Sequence, residues 1–195
     1  MAPDPLSPIL DQARACTLCE GSLEHGVRPV LQMSSSSRIL IAGQAPGRRV
    51  HESGVPFDDP SGDRLRDWLG LTREQFYDAA LVAILPMSFC YPGTGKSGDL
   101  APRKECAPAW RDALLGQLEA LELTLVIGAH AMGWHLPGEK RSLTDTVKAW
   151  REFAPDRIPL PHPSPRNNIW LKKNPWFAKE VLPHLRGRIA TVLGR

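Results

Sequence analysis

The chain has 195 residues, 42% of them hydrophobic, with 24 Lys+Arg against 21 Asp+Glu for a formal net charge of +3. That is one domain's worth of chain, residues 1–195, with enough apolar content to bury a core, which excludes a scaffold that needs a metal merely to fold. The charge is mild but uneven, since Arg157, Arg166, Lys172, Lys173, Lys179, Arg186, Arg188 and Arg195 gather in the last forty residues, as a polyanion-binding surface or a solvated basic helix face does.

Residues 1–15 contain Asp4, Asp11 and three prolines and no continuous apolar run, so they read neither as a signal peptide nor as a membrane span, and a cytoplasmic protein without a membrane partner is expected. Cys16 and Cys19 follow in Ala-Cys-Thr-Leu-Cys-Glu, and Cys90 and Cys106, with fifteen residues between them, complete the cysteine inventory. Two intervening residues let the first pair reach one ion from a single turn, and the distant pair must fold back to meet it. A shared zinc or iron-sulfur site is the leading expectation, with buried free thiols and then disulfides as alternatives, the last disfavoured by a reducing compartment. Such a site ties an N-terminal arm, residues 1–37, to the middle of the chain.

Residues 38–42, Arg-Ile-Leu-Ile-Ala, form an apolar run ending at Gly43 and Pro46, as a buried strand entering a loop does. A helix is predicted over 61–70 with Ser61 as its cap. Further strands are predicted at Leu81 to Leu85, Leu123 to Ile127 and Ile158 to Leu160, with helices over 103–121, from Gly128 onward and over 175–193. Strands alternating with helices predict a parallel sheet covered on both faces. Ligands of such folds bind beyond the carboxyl ends of the strands. There the chain places Gly43 to Gly47, the Pro-Met-Ser-Phe-Cys segment after Leu85, Gly128-Ala-His, and His162 to Asn167. Gly95-Lys96-Ser97 is not a phosphate loop, because Cys90 stands where that motif needs its first glycine. Tyr91 to Pro102 is expected to be a surface loop.

These residues carry a family resemblance. Gly43-Gln-Ala-Pro-Gly47 and the cysteine layout resemble the family 4 enzymes of the uracil-DNA glycosylase superfamily, which have Gly-Glu-Ala-Pro-Gly and a 4Fe-4S cluster. Gly54-Val-Pro-Phe57, Arg66-Asp-Trp-Leu-Gly70 and His162-Pro-Ser-Pro-Arg-Asn167 look instead like the single-strand-selective monofunctional branch. The resemblance implies an α/β fold, a single-domain three-layer α/β/α sandwich with a central, mainly parallel four-stranded sheet. It also implies a 4Fe-4S cluster on Cys16, Cys19, Cys90 and Cys106, with zinc as the alternative. The partner is DNA with the target base flipped out, and the protein is expected to act as a monomer.

The implied chemistry removes a base from its sugar. Phe57 is the floor on which the base stacks, and His162 donates to the pyrimidine O2 as charge develops there. Gln44 orients water through its amide and bonds the base through its backbone N–H, with Gly43 and Ala45 beside it. Ser164, Arg166 and Asn167 form the loop pressed into DNA, Asn167 also reaching the base. Lys172 and Lys173 contact phosphate, and the Ile169-Trp170 pair is a second wedge candidate or core. No lysine stands in either motif, so hydrolysis is monofunctional.

Two departures stand out. Ala45 occupies the position where family 1 enzymes have an aspartate, and Gln44 replaces the family 4 glutamate, leaving Glu52, Asp58 and Asp59 as candidate carboxylates. The stretch Ala83 to Cys90 contains no asparagine, the residue that reads uracil in most of the superfamily. Ser88 or backbone groups then read the base, and hypoxanthine, xanthine or an oxidised pyrimidine join uracil as substrates. The alternatives are a non-catalytic iron-sulfur protein that binds lesions and a zinc protein with no nucleic-acid role.

Overall fold

A computed structural model describes residues 5–96 and 98–194. Asp4, Ser97 and Arg195 lie outside the described residues. Four short apolar runs form strands: β1 (Ile39–Ala42), β2 (Val82–Ile84), β5 (Leu123–Ile127) and β6 (Arg157–Leu160). They pair in the order β2-β1-β5-β6, every pair parallel. Near-continuous hydrophobicity suits strands covered on both faces, and the four expected strands are all present.

Successive side chains alternate between two cores. Ile39, Ile41, Val82 and Ile84 join helices α3 (Pro60–Leu69) and α9 (Leu182–Val192) on one face, where Leu65, Leu69, Leu185 and Ile189 are buried. Leu40, Ala83 and Leu85 face α1 (Leu6–Arg14) and α5 (Cys106–Leu115) on the other, against Leu10, Ala13 and Leu114. The result is the expected three-layer α/β/α sandwich. The remaining helices are α2 (Arg48–Ser53), α4 (Arg73–Tyr77), α6 (Gly128–His135), α7 (Leu143–Lys148) and α8 (Asn168–Lys173).

Several boundaries differ from the sequence reading. Asp59, not Ser61, caps α3, its Oδ1 accepting from the Gly62 N–H at 2.8 Å with Pro60 in the first turn. Helix α5 covers only Cys106–Leu115, and the closing helix begins with a wider-coiled turn at Phe177–Val181. Tyr91 to Pro102 is not a plain surface loop. Tyr91 is buried, and β3 (Thr94–Gly95) pairs antiparallel with β4 (Gly98–Asp99) as a hairpin.

Both edges of the main sheet are covered or blunted. Gln32 of the arm pairs with Ile84 on the outer side of β2, exchanging backbone bonds of 3.0 and 2.6 Å, and its amide donates to the Val82 carbonyl at 2.9 Å. At the other edge, β6 carries Pro159.

Candidate active site

One cavity of about 250 Å³ opens beyond the carboxyl ends of β1 and β2. Gly43 to Val50 form one wall, Val30, Ile84 and Pro86 an apolar one, and Phe57, Asp59, Asp99, His162, Ser164 and Arg166 complete it. The β1–β2 ladder continues past both strands: Met87 N–H donates to the Gly43 carbonyl at 2.9 Å and Ser88 N–H to the Gln44 carbonyl at 3.1 Å. The first loop is thereby pinned to the segment after β2 where it lines the cavity. Gly128-Ala-His contributes nothing to the lining, so three of the four expected loops converge and the fourth does not.

Phe57 is the one non-glycine described residue with positive φ, at 54°. A left-handed phenylalanine is strained and persists only where its surroundings impose it. Here they do. Arg66 Nη1 donates to the Phe57 carbonyl at 3.4 Å, Tyr77 Oη donates to the Pro56 carbonyl at 2.9 Å, and Phe76 meets the Phe57 ring edge-on at 6.1 Å. The ring tip lies close enough to Gly43 that a β-carbon there would stand 3.6 Å from Cζ. The ring is thus a partly exposed shelf over the first loop.

His162 is half-buried, and its Nδ1 accepts the Ser164 N–H at 3.2 Å. That bond leaves the proton on Nε2. Burial pushes the imidazole pKa down, partly countered by Asp59 and Asp99, so the ring is a neutral donor. Asn167 does not line the cavity. Its amide donates to the His162 carbonyl at 2.7 Å and braces the loop. The loop is also gripped by Arg64, which donates to the Ser164 carbonyl at 3.0 Å and to Asn168 Oδ1 at 2.8 Å. Arg64 was not singled out in the sequence, because its role depends on α3 packing beside a segment one hundred residues later.

Gln44 reaches across the cavity mouth, its amide donating to the Leu100 carbonyl at 3.3 Å. Of the three candidate acids, only Asp59 lines the cavity. Asp58 pairs with Arg73 at 3.0 Å and Glu52 with Arg48 at 3.0 Å. Asp99, on the hairpin, is a carboxylate the sequence reading missed; its Oδ2 and that of Asp59 approach the same side of Gly47.

The comparisons with known proteins agree with this geometry. The sequence profile of the Uracil DNA glycosylase superfamily matches residues 32–186. The chain belongs to that superfamily. Within it, the chain is similar to the Type-4 uracil-DNA glycosylase of Thermotoga maritima, 26% identical over 141 residues, which cover 70% of this chain and 68% of the relative.

In this superfamily member the segment after β2 places Pro86 in the cavity wall and no amide side chain. Ser88 does not take that place. Its hydroxyl donates to the Cys90 carbonyl at 3.3 Å, and its side chain lines a different, small cavity shared with Cys16, Cys19, Cys90 and Cys106. All four cysteines are free thiols, so the disulfide alternative is not realised. Among the described residues no three His, Cys, Asp or Glu side chains are drawn together tightly enough to hold a metal ion. The donor set still fits an iron-sulfur centre, because N–H groups already point at sulfur. Trp110 Nε1 donates to Cys16 Sγ at 3.2 Å, and the Phe89 N–H to Cys106 Sγ at 3.4 Å. Burial raises the Cys90 pKa and pushes Cys106 up to about 11.

The basic C-terminal residues divide into two sets. Arg186 donates to the Asp67 and Trp68 carbonyls at 2.8 and 3.2 Å, and Arg188 to the Glu122 and Pro155 carbonyls at 3.0 and 3.2 Å, so both brace the core. Lys172 and Lys173 end α8 exposed, next to the His162 loop. Arg166 packs its guanidinium against Gly98 and lines the cavity. Trp170 is core, bonded to Thr144 Oγ1 at 2.8 Å and packed on Trp176 and Phe177, whereas Ile169 is 68% exposed. No described helix is long and apolar enough to cross a membrane.

Proposed function

We propose that the protein is a monofunctional DNA glycosylase that hydrolyses the bond between deoxyribose and uracil, or a related deaminated or damaged base. The observation that carries this is the facing of a strained, shelf-like Phe57 and an Nε2-protonated His162 across one base-sized cavity. A flipped base stacks on Phe57, and His162 donates to its O2. As the glycosidic bond breaks, the electron pair leaves with the base, whose growing negative charge strengthens that hydrogen bond. The sugar becomes cation-like, and water adds at C1′ and loses its proton to a carboxylate. Asp59 takes the role for which the first loop, with Ala45, has no acid.

Cys16, Cys19, Cys90 and Cys106 hold a 4Fe-4S cluster in this reading, with zinc as the alternative, and the bound group serves as a clamp between arm and core. Lys172, Lys173 and Arg166 meet the DNA backbone. The protein works as a monomer in a reducing, cytoplasmic compartment that keeps the four thiols available for metal.

A second reading, a lesion-binding protein without catalysis, draws on the wall of Val30, Ile84 and Pro86, which offers no side-chain amide to read uracil. Alkali-cleavage assays decide between them, using single- and double-stranded oligonucleotides that carry uracil, hypoxanthine, xanthine or an oxidised pyrimidine. Strand breaks at one of these bases, abolished in His162→Ala, establish the enzyme and name its substrate. Salt-sensitive binding without product on any of them establishes the binding protein.

A further inference from the structure

Asp99 lines the base cavity from the β3–β4 hairpin, outside the sequence motifs that carry the family resemblance. Cavity loops hold the residues on either side of it. Gln44 of the first loop donates its amide to the Leu100 carbonyl at 3.3 Å, and the Leu100 N–H donates to the Gly93 carbonyl at 2.9 Å across the base of the hairpin. On the other side, the Arg166 guanidinium of the His162 loop stands against the place a β-carbon on Gly98 would take, and Gly98 has a φ of 135°, a backbone angle that favours glycine. Asp99 is thereby stationed at the cavity mouth between the first loop and the His162 loop.

Two carboxylates meet in this region. A β-carbon on Gly47 would stand 3.7 Å from Asp99 Oδ2 and 3.9 Å from Asp59 Oδ2. Both carboxylates also act on the His162 imidazole, countering part of the pKa lowering that burial imposes. Their commitments differ. Asp59 Oδ1 accepts the Gly62 N–H as the cap of α3. Among the described residues no cation forms an ion pair with Asp99, although Arg48, Arg49 and Arg166 line the same cavity. An unpaired carboxylate on a surface that meets DNA repels phosphate and weakens ground-state binding. The same charge is favourable where positive charge develops, and glycosidic bonds that break through a cation-like sugar are commonly flanked by two carboxylates.

We propose that Asp99 is a second catalytic carboxylate, which faces the deoxyribose of the flipped nucleotide and stabilises the positive charge that develops at C1′. The proposal deepens the glycosylase reading and rests on it. The electron pair of the glycosidic bond leaves with the base, the water oxygen bonds to C1′, and the proton of that water passes to Asp59. Asp99 takes no proton and forms no bond. Bound DNA covers the cavity mouth and excludes water, so the field of Asp99 at C1′ is stronger in the complex than in the free protein.

The test compares the unmodified protein with Asp99→Asn, which keeps the shape and loses the charge, and Asp99→Glu, which keeps the charge. The side chain is exposed in the free protein, so both variants are expected to fold. Single-turnover rates are measured on oligonucleotides carrying uracil, hypoxanthine, xanthine or an oxidised pyrimidine. Anisotropy gives the affinity for two uncleavable oligonucleotides, one with a neutral tetrahydrofuran abasic analogue and one with a pyrrolidine analogue that carries a positive charge in the sugar ring. Asp99→Asn is expected to cut about tenfold or more slowly, to bind the neutral analogue at least as well as the unmodified protein, and to lose most of a preference of about tenfold for the cationic one. Asp99→Glu is expected to keep that preference. An Asp99→Asn rate within about twofold of the original, or an unmodified protein that cuts yet prefers the cationic analogue no more than Asp99→Asn does, overturns the proposal and leaves the glycosylase reading standing. Unmodified protein that removes none of these bases overturns both.

Discussion

The carbonyl oxygen of Phe57 occupies the space that a β-carbon on Gly62 would fill. The first turn of α3 can therefore slide beneath the loop that carries the strained phenylalanine, and only glycine permits that approach. Gly62→Ala is expected to destabilise the fold by about 2 kcal/mol or more through overpacking and to abolish base removal, whereas Gly21→Ala, with open space around it, leaves both nearly unchanged. Thermal melts read beside cleavage assays check the pair.

His162 is held as its Nε2–H tautomer by the Ser164 N–H. Nitrogen-detected NMR is expected to show that tautomer at pH 7, with protonation only below the ordinary imidazole value of about 6.5. Asp59 works against this lowering, so Asp59→Asn moves the midpoint lower still, by removing a charge that favours imidazolium. A midpoint at or above 6.5 contradicts the assignment.

Asp59 has two separable roles, as cap of α3 and as cavity carboxylate. Asparagine caps as well as aspartate, so Asp59→Asn is expected to keep its melting temperature while the rate of base removal falls about a hundredfold or more. Asp58→Asn and Glu52→Gln, whose carboxylates pair with Arg73 and Arg48 outside the cavity, leave that rate within a few fold. Single-turnover kinetics on the substrate found by the cleavage assay distinguish the three.

Much of this site was legible in the sequence, and the rest was not for identifiable reasons. Continuous apolar runs announced the four strands, loops at their ends announced Gly43 and His162, and Phe57 came only from the resemblance carried by Gly54-Val-Pro-Phe57. The cap of α3 was misread as Ser61, although Pro60 at a first helical position points to Asp59 as the cap. Asp99 was not legible, since Gly95 to Asp99 shows no alternation of apolar residues and the hairpin brings it to the cavity only by tertiary packing. Ser88 failed as a base reader because the ladder to Gln44 uses its backbone while its side chain turns toward the cysteines. Arg186 and Arg188 looked like free charge because sequence hides the carbonyls that hold them.

His135 makes stability depend on pH. Its folded-state pKa, about 3, lies below the ordinary imidazole value, so between roughly 6.5 and 3 the unfolded chain binds the extra proton. Stability is therefore full above pH 6.5 and declines as pH falls through that window. His135→Gln, which cannot take up that proton, is expected to show a shallower decline between pH 7 and pH 4.5 in denaturant melts. An identical decline in both proteins rules out this origin.

Lys172 and Lys173 stand exposed beside the His162 loop, whereas Arg186 and Arg188 are tied to carbonyls. Replacing each lysine by alanine is expected to reduce the slope of log affinity against log salt for DNA by about 1. Arg186→Ala and Arg188→Ala are expected to leave that slope unchanged and to lower the melting temperature. Fluorescence anisotropy across a salt series reads the slopes.

The bridge from Gln32 to Ile84 closes the outer rim of β2, and Pro159 withholds a donor along the outer rim of β6. A sheet left open at either side is a template for a strand from another molecule, and this chain offers neither side. The arm segment that shuts the first rim also contributes Val30 to the cavity wall. Solubility and ligand shape are thus tied to one stretch of backbone: peeling the arm away uncovers an adhesive ribbon and, in the same movement, takes one wall from the cavity.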